Sequence, residues 1–200
     1  MASKVDRSTL IRRGFHLTSP LWLIWYWMPQ DSWIGVRKEA VLVSILCVAL
    51  VIEAARLLTG RRILGFRADE SERISSYAWG SLGLAFGLFF FPGEIVIVTF
   101  WGMAWIDPLC ALARKKGWYR GIPILAYAAL FLAVEAAMEP FLAVSYAWST
   151  RVLFAVLATA TAIPLEGRKV PQLDDDFLML IVPMVVLAFA AWILAPLRLL

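Results

Sequence analysis

Several stretches of this chain run for close to 20 residues with almost no charge, and no other feature limits its fold so strongly. At 1.5 Å of rise per residue, such a stretch makes a helix that matches the ~30 Å hydrocarbon layer of a bilayer. Backbone groups inside lipid must bond to one another, which leaves helices as the economical solution for runs of this kind. The expected fold is therefore all-α: a polytopic membrane protein forming one integral-membrane domain over residues 1–200. Composition agrees, with 62% apolar residues, 17% charged and a mean hydropathy of +0.76. Soluble domains run at roughly 45–50% apolar and ~25% charged. Cys47 and Cys110 both fall inside apolar runs and the chain has one histidine, so neither a disulfide framework nor a structural zinc site is expected.

The apolar runs read as seven transmembrane helices at about 15–33, 38–58, 76–92, 94–112, 121–139, 142–163 and 177–197. Pro29, Gln30 and Asp31 interrupt the first, although its crowd of tryptophans suits an interfacial belt. Sorting Lys and Arg by alternate loops tests this count. Fifteen fall on the side of the N-terminus and four on the other, which places the N-terminus in the cytoplasm. The N-terminal residues lack the apolar core and cleavage site of a removable signal, while the first apolar segment can act as an uncleaved anchor. With no transit-like extension, a bacterial plasma membrane is the expected location. Gly83-x-x-x-Gly87 in the third span has the spacing that lets helices approach closely. Its simplest use is packing within the chain, and together with the ten tryptophans it permits a homo-oligomer.

Ionisable side chains are costly in hydrocarbon, so their placement carries the functional signal. On the expected cytoplasmic side lie His16, Glu53 and Arg56, then Asp69, Glu70, Glu72 and Arg73, then Asp107, and finally Glu166 with Asp174, Asp175 and Asp176. Carboxylates are hard oxygen ligands for Mg²⁺ or Ca²⁺, and arginine forks bind phosphate, so the two together suit a metal–polyphosphate ligand. Each piece also has a plainer use. Glu53 and Arg56 at i, i+3 make an intrahelical ion pair, Asp107 before Pro108 accommodates a kink, the triple Asp caps the seventh helix, and His16 sits at the interface. Glu135 and Glu139 point toward the opposite membrane face, away from this group. The chain has no G-x-x-x-x-G-K-[ST] loop, no G-x-S-x-G elbow and no H-E-x-x-H helix. Nothing in the pattern asks for a nucleic-acid partner.

Five pieces in this order resemble the membrane lipid kinases that include dolichol kinase, phytol and farnesol kinase and CTP-dependent diacylglycerol kinase. They are Arg12-Arg13-Gly14-Phe15-His16, Glu53-Ala54-Ala55-Arg56, Glu72-Arg73, Trp105-Ile106-Asp107-Pro108 with Ala111 and Arg114, and Glu166 followed by Pro171, Asp174-Asp175-Asp176-Phe177 and Pro183. The resemblance spans nearly the whole chain. Two departures stand out. Where the family has Lys-[Ser/Thr]-x-x-Gly-[Ser/Thr], this chain has Arg114-Lys115-Lys116-Gly117-Trp118-Tyr119-Arg120-Gly121, and Asp176 stands where the family has Asn.

The resemblance implies a CTP-dependent lipid-alcohol kinase acting at the cytoplasmic interface on a prenol, polyprenol or diacylglycerol, with CTP as donor and Mg²⁺ or Ca²⁺ as cofactor. It implies Asp107 as base or metal ligand and His16 as a phosphate-orienting catalytic residue. Asp174 and Asp175 would join Asp107 around metal. Glu166, Glu72, Arg13, Arg56, Arg73, Lys116 and Arg120 would hold the nucleotide. Two alternatives stay open: a cytidylyltransferase forming a CDP-lipid with the same equipment, and a non-catalytic lipid-binding or transport protein, favoured by the missing hydroxyl loop.

Overall fold

The computed structural model of the protein describes residues 7–30, 35–61, 63, 65–66, 70, 72–119, 121–142, 145–168, 170 and 173–195. Seven α-helices succeed one another among the described residues: α1 (Arg7–Thr18), α2 (Lys38–Thr59), α3 (Ser76–Phe90), α4 (Gly93–Lys116), α5 (Gly121–Met138), α6 (Trp148–Ala162) and α7 (Asp175–Leu194). Short 3-10 segments come after α1 (Ser19–Trp27), α5 (Glu139–Phe141) and α6 (Ile163–Leu165), and no strand occurs among the described residues. The all-α expectation holds.

Five helical segments are long and apolar enough to cross a membrane: Lys38–Thr59, Gly93–Lys116, Gly121–Phe141, Trp148–Leu165 and Asp175–Leu194. The third expected span is the shorter helix α3, whose 15 residues rise about 22 Å. The first expected span is not one helix. Residues 15–18 finish the polar helix α1, and Ser19-Pro20 opens the 3-10 segment that ends at Trp27. Pro20 has no N–H to offer the preceding turn and its ring crowds that turn, so α1 stops there despite the apolar run beyond it.

The core is built around α4 and α7. Ile95, Val96, Ile97 and Val98 are four consecutive buried residues, a pattern possible only for a helix covered on all sides. α4 packs against α5, α7, α1 and the 3-10 segment after α1, while α7 also packs against α3 and α6. Of α4's span 67% is buried, against 17% for α2, so α2 stands at the periphery with α3 as its main neighbour. Outward faces are apolar too. Phe90 and Leu125 are both 70% exposed and Trp192 71%, surface that suits lipid contact and not water.

Close helix approach depends on particular small residues. A Cβ on Gly83 would meet Leu180 and Phe177 at 3.1 and 3.2 Å, and one on Gly87 would meet Met184 at 3.0 Å. The small-residue stripe of α3 is thus occupied by α7 within the same chain. Gly102 is tighter, since a Cβ there would lie 2.5 Å from Tyr127 Cζ on α5, and Tyr127 is fully buried with no room to swing. Gly102→Ala is therefore expected to destabilise the fold by about 1–3 kcal/mol, seen as a lowered melting temperature in detergent. Trimming the ring with Tyr127→Leu in the same protein should restore part of the loss.

Candidate metal and phosphate site

One end of the bundle gathers charged residues from four separate stretches. α1 supplies Arg12, Arg13 and His16, three residues within one helical turn and a third. α4 supplies Asp107, with Arg114 seven residues later on the same face. The loop between α2 and α3 supplies Arg73, and the segment from Glu166 to Asp176 supplies the rest. Together they line a cavity of about 540 Å³ whose walls include Arg12, Arg13, His16, Arg73, Asp107, Arg114, Lys115, Arg168, Asp174 and Asp175.

The carboxylates in and beside this cavity are buried. Asp107 is 7% exposed, Glu166 3%, Asp174 1%, Asp175 8% and Asp176 2%. Buried carboxylates repel one another unless cations lie among them, and here the cations are provided by geometry. Arg12 Nη2 is 3.6 Å from Asp176 Oδ2, and Arg73 Nη2 is 3.9 Å from Asp174 Oδ2. Arg114 Nη1 bonds Glu166 Oε1, whose other oxygen accepts from the Tyr119 hydroxyl at 2.8 Å. His16 Nε2 lies 3.8 Å from Asp107 Oδ2 and 3.7 Å from Asp176 Oδ2. Two sets of ligand atoms, Asp107/Glu166/Asp175 and His16/Asp107/Asp176, each fall within 4.8 Å of one another, and Asp174/Asp175/Asp176 form a third.

Local backbone explains how these groups converge. Asp174 caps α7, its side chain accepting from the Asp176 N–H at 3.1 Å, and the acidic first turn lies where the helix dipole favours negative charge. Capping and site-building are the same arrangement. Gly167 adopts φ +70°, a left-handed turn that an L-residue resists, and its N–H donates to Asp175 Oδ2 at 3.0 Å. Pro108 sits inside α4 directly after Asp107 and removes one rung of the hydrogen-bond ladder beside the carboxylate.

A second hollow adjoins the first. About 240 Å³ in volume, it is walled by apolar residues, among them Phe15, Trp22, Leu42, Ile45, Leu84 and Met103 from α1, the adjoining 3-10 segment and helices α2 to α4. His16 lines both hollows, and Asp176 lies at the apolar one while its neighbours Asp174 and Asp175 line the charged one.

Comparison with protein-family models, with curated proteins and with solved structures finds no match for this chain.

Of the residues singled out from sequence, His16, Arg13, Arg73, Asp107, Asp174 and Asp175 line the charged cavity, and Glu166 is buried beside it. Arg56 goes elsewhere. Its Nε and Nη2 donate to Glu53 at 2.9 and 2.7 Å, Nη1 to the Glu70 carbonyl at 2.6 Å and Nη2 to the Arg73 carbonyl at 2.6 Å. This guanidinium fastens a loop, and it reaches the cavity only through Arg73. Glu72 is exposed and does not line the cavity. Lys116, also exposed, extends over the Trp118 ring, 4.8 Å from its centroid. Arg120 and Asp69 lie outside the described residues. Arg12, Arg114, Lys115 and Arg168 line the cavity without a role assigned from sequence, although spacing along α1 and α4 puts Arg12 one turn from His16 and Arg114 two turns from Asp107, and Asp176, grouped with its acidic neighbours from sequence, joins two of the ligand sets.

Glu135 and Glu139 belong to a separate network. Arg151 donates from Nη1 and Nη2 to Glu139 at 3.0 and 2.5 Å and from Nε to the Tyr146 carbonyl at 2.8 Å, with Glu135 Oε1 at 3.9 Å from Nε. For the activity that the family resemblance implies, Glu139→Gln is expected to leave turnover and nucleotide binding within twofold of the unaltered protein, measured side by side in one detergent, since Glu139 does not line the charged cavity.

Proposed function

We propose that this protein is a CTP-dependent lipid-alcohol kinase. The observation that carries the reading is the meeting of two hollows at His16: an apolar one sized for a hydrocarbon segment, and a charged one with the donor set for a metal-bound triphosphate. A lipid alcohol has both characters in one molecule. Its chain would lie along Leu42, Ile45 and Leu84, and its hydroxyl would reach the buried carboxylates.

The residues present fit a divalent cation with a polyphosphate. Asp107, Asp174, Asp175 and Glu166 offer hard oxygens, and Arg12, Arg13, Arg73, Arg114, Lys115 and Arg168 offer donors for phosphate oxygens. When bound, Mg²⁺ neutralises charge on the triphosphate, the main requirement of phosphoryl transfer. The chain's own part is to position and to move one proton. Asp107 takes the proton of the lipid hydroxyl as that oxygen bonds to the γ-phosphorus, and the bond to the β–γ bridging oxygen breaks, releasing CDP. Arginines from α1 and α4 would hold the phosphates while His16 orients the acceptor end. The preference for CTP rests on the family resemblance.

The reading includes seven membrane-crossing segments, the first at about 15–33, which takes in the end of α1 and the 3-10 segment after it, and an N-terminus in the cytoplasm of a bacterial cell. Support comes from the charge distribution: Arg12, Arg73, Arg114 and Arg168 come from successive stretches on the basic side of the loop sorting, and they meet at one cavity.

One observation favours a second reading. Six cationic side chains line the cavity, more than a lone triphosphate with its metal needs, and a phosphorylated acceptor would use the surplus. In that case the protein would be a cytidylyltransferase making a CDP-lipid. Purified protein given Mg²⁺, CTP labelled in the γ-phosphate and a panel of farnesol, phytol, polyprenol, diacylglycerol and phosphatidic acid separates the two. Label in a lipid establishes the kinase; label in pyrophosphate with phosphatidic acid establishes the transferase. Folded protein that releases neither rejects both.

A further inference from the structure

We propose that His16, Asp107 and Asp176 form a site for a first-row transition-metal dication, separate from the all-oxygen group of Asp107, Glu166 and Asp175. It goes beyond the proposed function and rests on that reading only in sharing Asp107 with the magnesium-binding set.

Four observations lead to it. His16 is the one residue of α1 that is buried, on a helix otherwise turned to the surface. Its Nε2 stands 3.8 and 3.7 Å from carboxylate oxygens on α4 and α7, too far for hydrogen bonds, which fall near 2.7–3.2 Å. Two ligands at ~2.0–2.2 Å from a shared tetrahedral ion are roughly 3.4 Å apart, so a small contraction would bring these atoms around one metal. Asp176 is 2% exposed, and its Oδ1 has no hydrogen-bond partner even though Arg12 approaches Oδ2 at 3.6 Å. A fully buried carboxylate oxygen without a donor is costly, and a cation satisfies it.

Donor chemistry sets the kind of ion. The oxygen group suits Mg²⁺, which binds imidazole poorly. One imidazole with two carboxylates suits Mn²⁺, Fe²⁺, Co²⁺ or Zn²⁺. The second carboxylate of this set is Asp176, the position at which the chain departs from the family it resembles by having Asp in place of Asn.

The experiment uses the whole purified protein in detergent with metal alone. Mn²⁺ is titrated by EPR, and Mg²⁺ is measured by calorimetry on the same preparation. Wild type is expected to bind Mn²⁺ with nitrogen coupling in the pulsed spectrum. His16→Ala should abolish that coupling, and both His16→Ala and Asp176→Asn should weaken Mn²⁺ at least about tenfold while Mg²⁺ affinity changes less than twofold. Asp175→Asn should do the reverse. Mn²⁺ bound without nitrogen coupling, or with equal affinity in all three variants, overturns the transition-metal site and leaves the magnesium set standing. Folded protein that binds neither ion overturns this site and the metal-dependent reading together. The wild-type spectrum decides the question even if a variant fails to fold.

Discussion

Asp107→Asn is expected to lower phosphoryl transfer by about 10²–10⁴-fold, the usual loss when a positioned base is removed, while the protein folds and melts as before. The change keeps the shape of the side chain and removes its charge. Asp107 is buried on α4, faces His16 Nε2 and shares a ligand set with Glu166 and Asp175, so every chemical role assigned to it needs the carboxylate. An amide cannot accept the hydroxyl proton and is a poor metal ligand. The packing of α4 does not depend on that charge, because the helix is held by its apolar core residues, among them Met103, Ile106 and Cys110. Measurement of initial rates and of melting temperature on the same sample checks both halves. Asp175→Asn should show the same separation of activity from stability, and undiminished transfer by Asp107→Asn would remove the site from consideration.

Arg56→Ala should act in the opposite way, costing about 3–5 kcal/mol of stability, the range found when one partner of a buried ion pair is deleted. Arg56 is 4% exposed and Glu53 6%, and the pair is tied to the backbone at Glu70, Arg73 and Ser75. Without the guanidinium, Glu53 keeps a buried charge and two carbonyls lose their donor. A melt of the detergent-solubilised variant should fall sharply or vanish. Had Arg56 been a phosphate contact, the variant would keep its melting temperature and lose CTP affinity alone. Arg56→Lys should recover little, since an ammonium cannot reach four acceptors arranged for a planar fork.

These two residues also show how far the sequence can be read. Both are charged groups among apolar residues, but nothing in the spacing of Arg56 says that it fastens a loop instead of facing a cavity. The difference lies in carbonyls at Glu70 and Arg73, which carry no side-chain signature at all. Asp107, by contrast, is legible because a carboxylate several turns inside an apolar helix needs a polar surrounding to exist there. Helix content and most helix positions come from the length of the apolar runs. The first segment does not, because the uncharged run from Leu17 to Met28 looks the same whatever its backbone does, and hydropathy is blind to Pro20 ending a helix. Arg12 and Arg114 are within reach of the 3.6-residue period once His16 and Asp107 have been chosen. The ligand set of Asp176 is not, since consecutive residues of a helix turn by 100° and only the tertiary structure says which one meets α1.

The peripheral helix α2 has a bearing on how such a chain diversifies. Its cavity end is fixed by Glu53 and Arg56, and near its other end Lys38 reaches the Trp25 and Met28 carbonyls at 3.5 Å and lies 5.0 Å from the Trp25 ring. Between these anchors Ile45, Leu46 and Ala49 wall the apolar hollow, while Val43, Val48 and Val51 face outward with little protein against them. Exchanging one aliphatic residue for another along that stretch disturbs few packed neighbours and yet reshapes the hollow. On the proposed function, single exchanges on α2 would therefore shift which hydrocarbon tail is preferred while the charged chamber and the fold go unaltered.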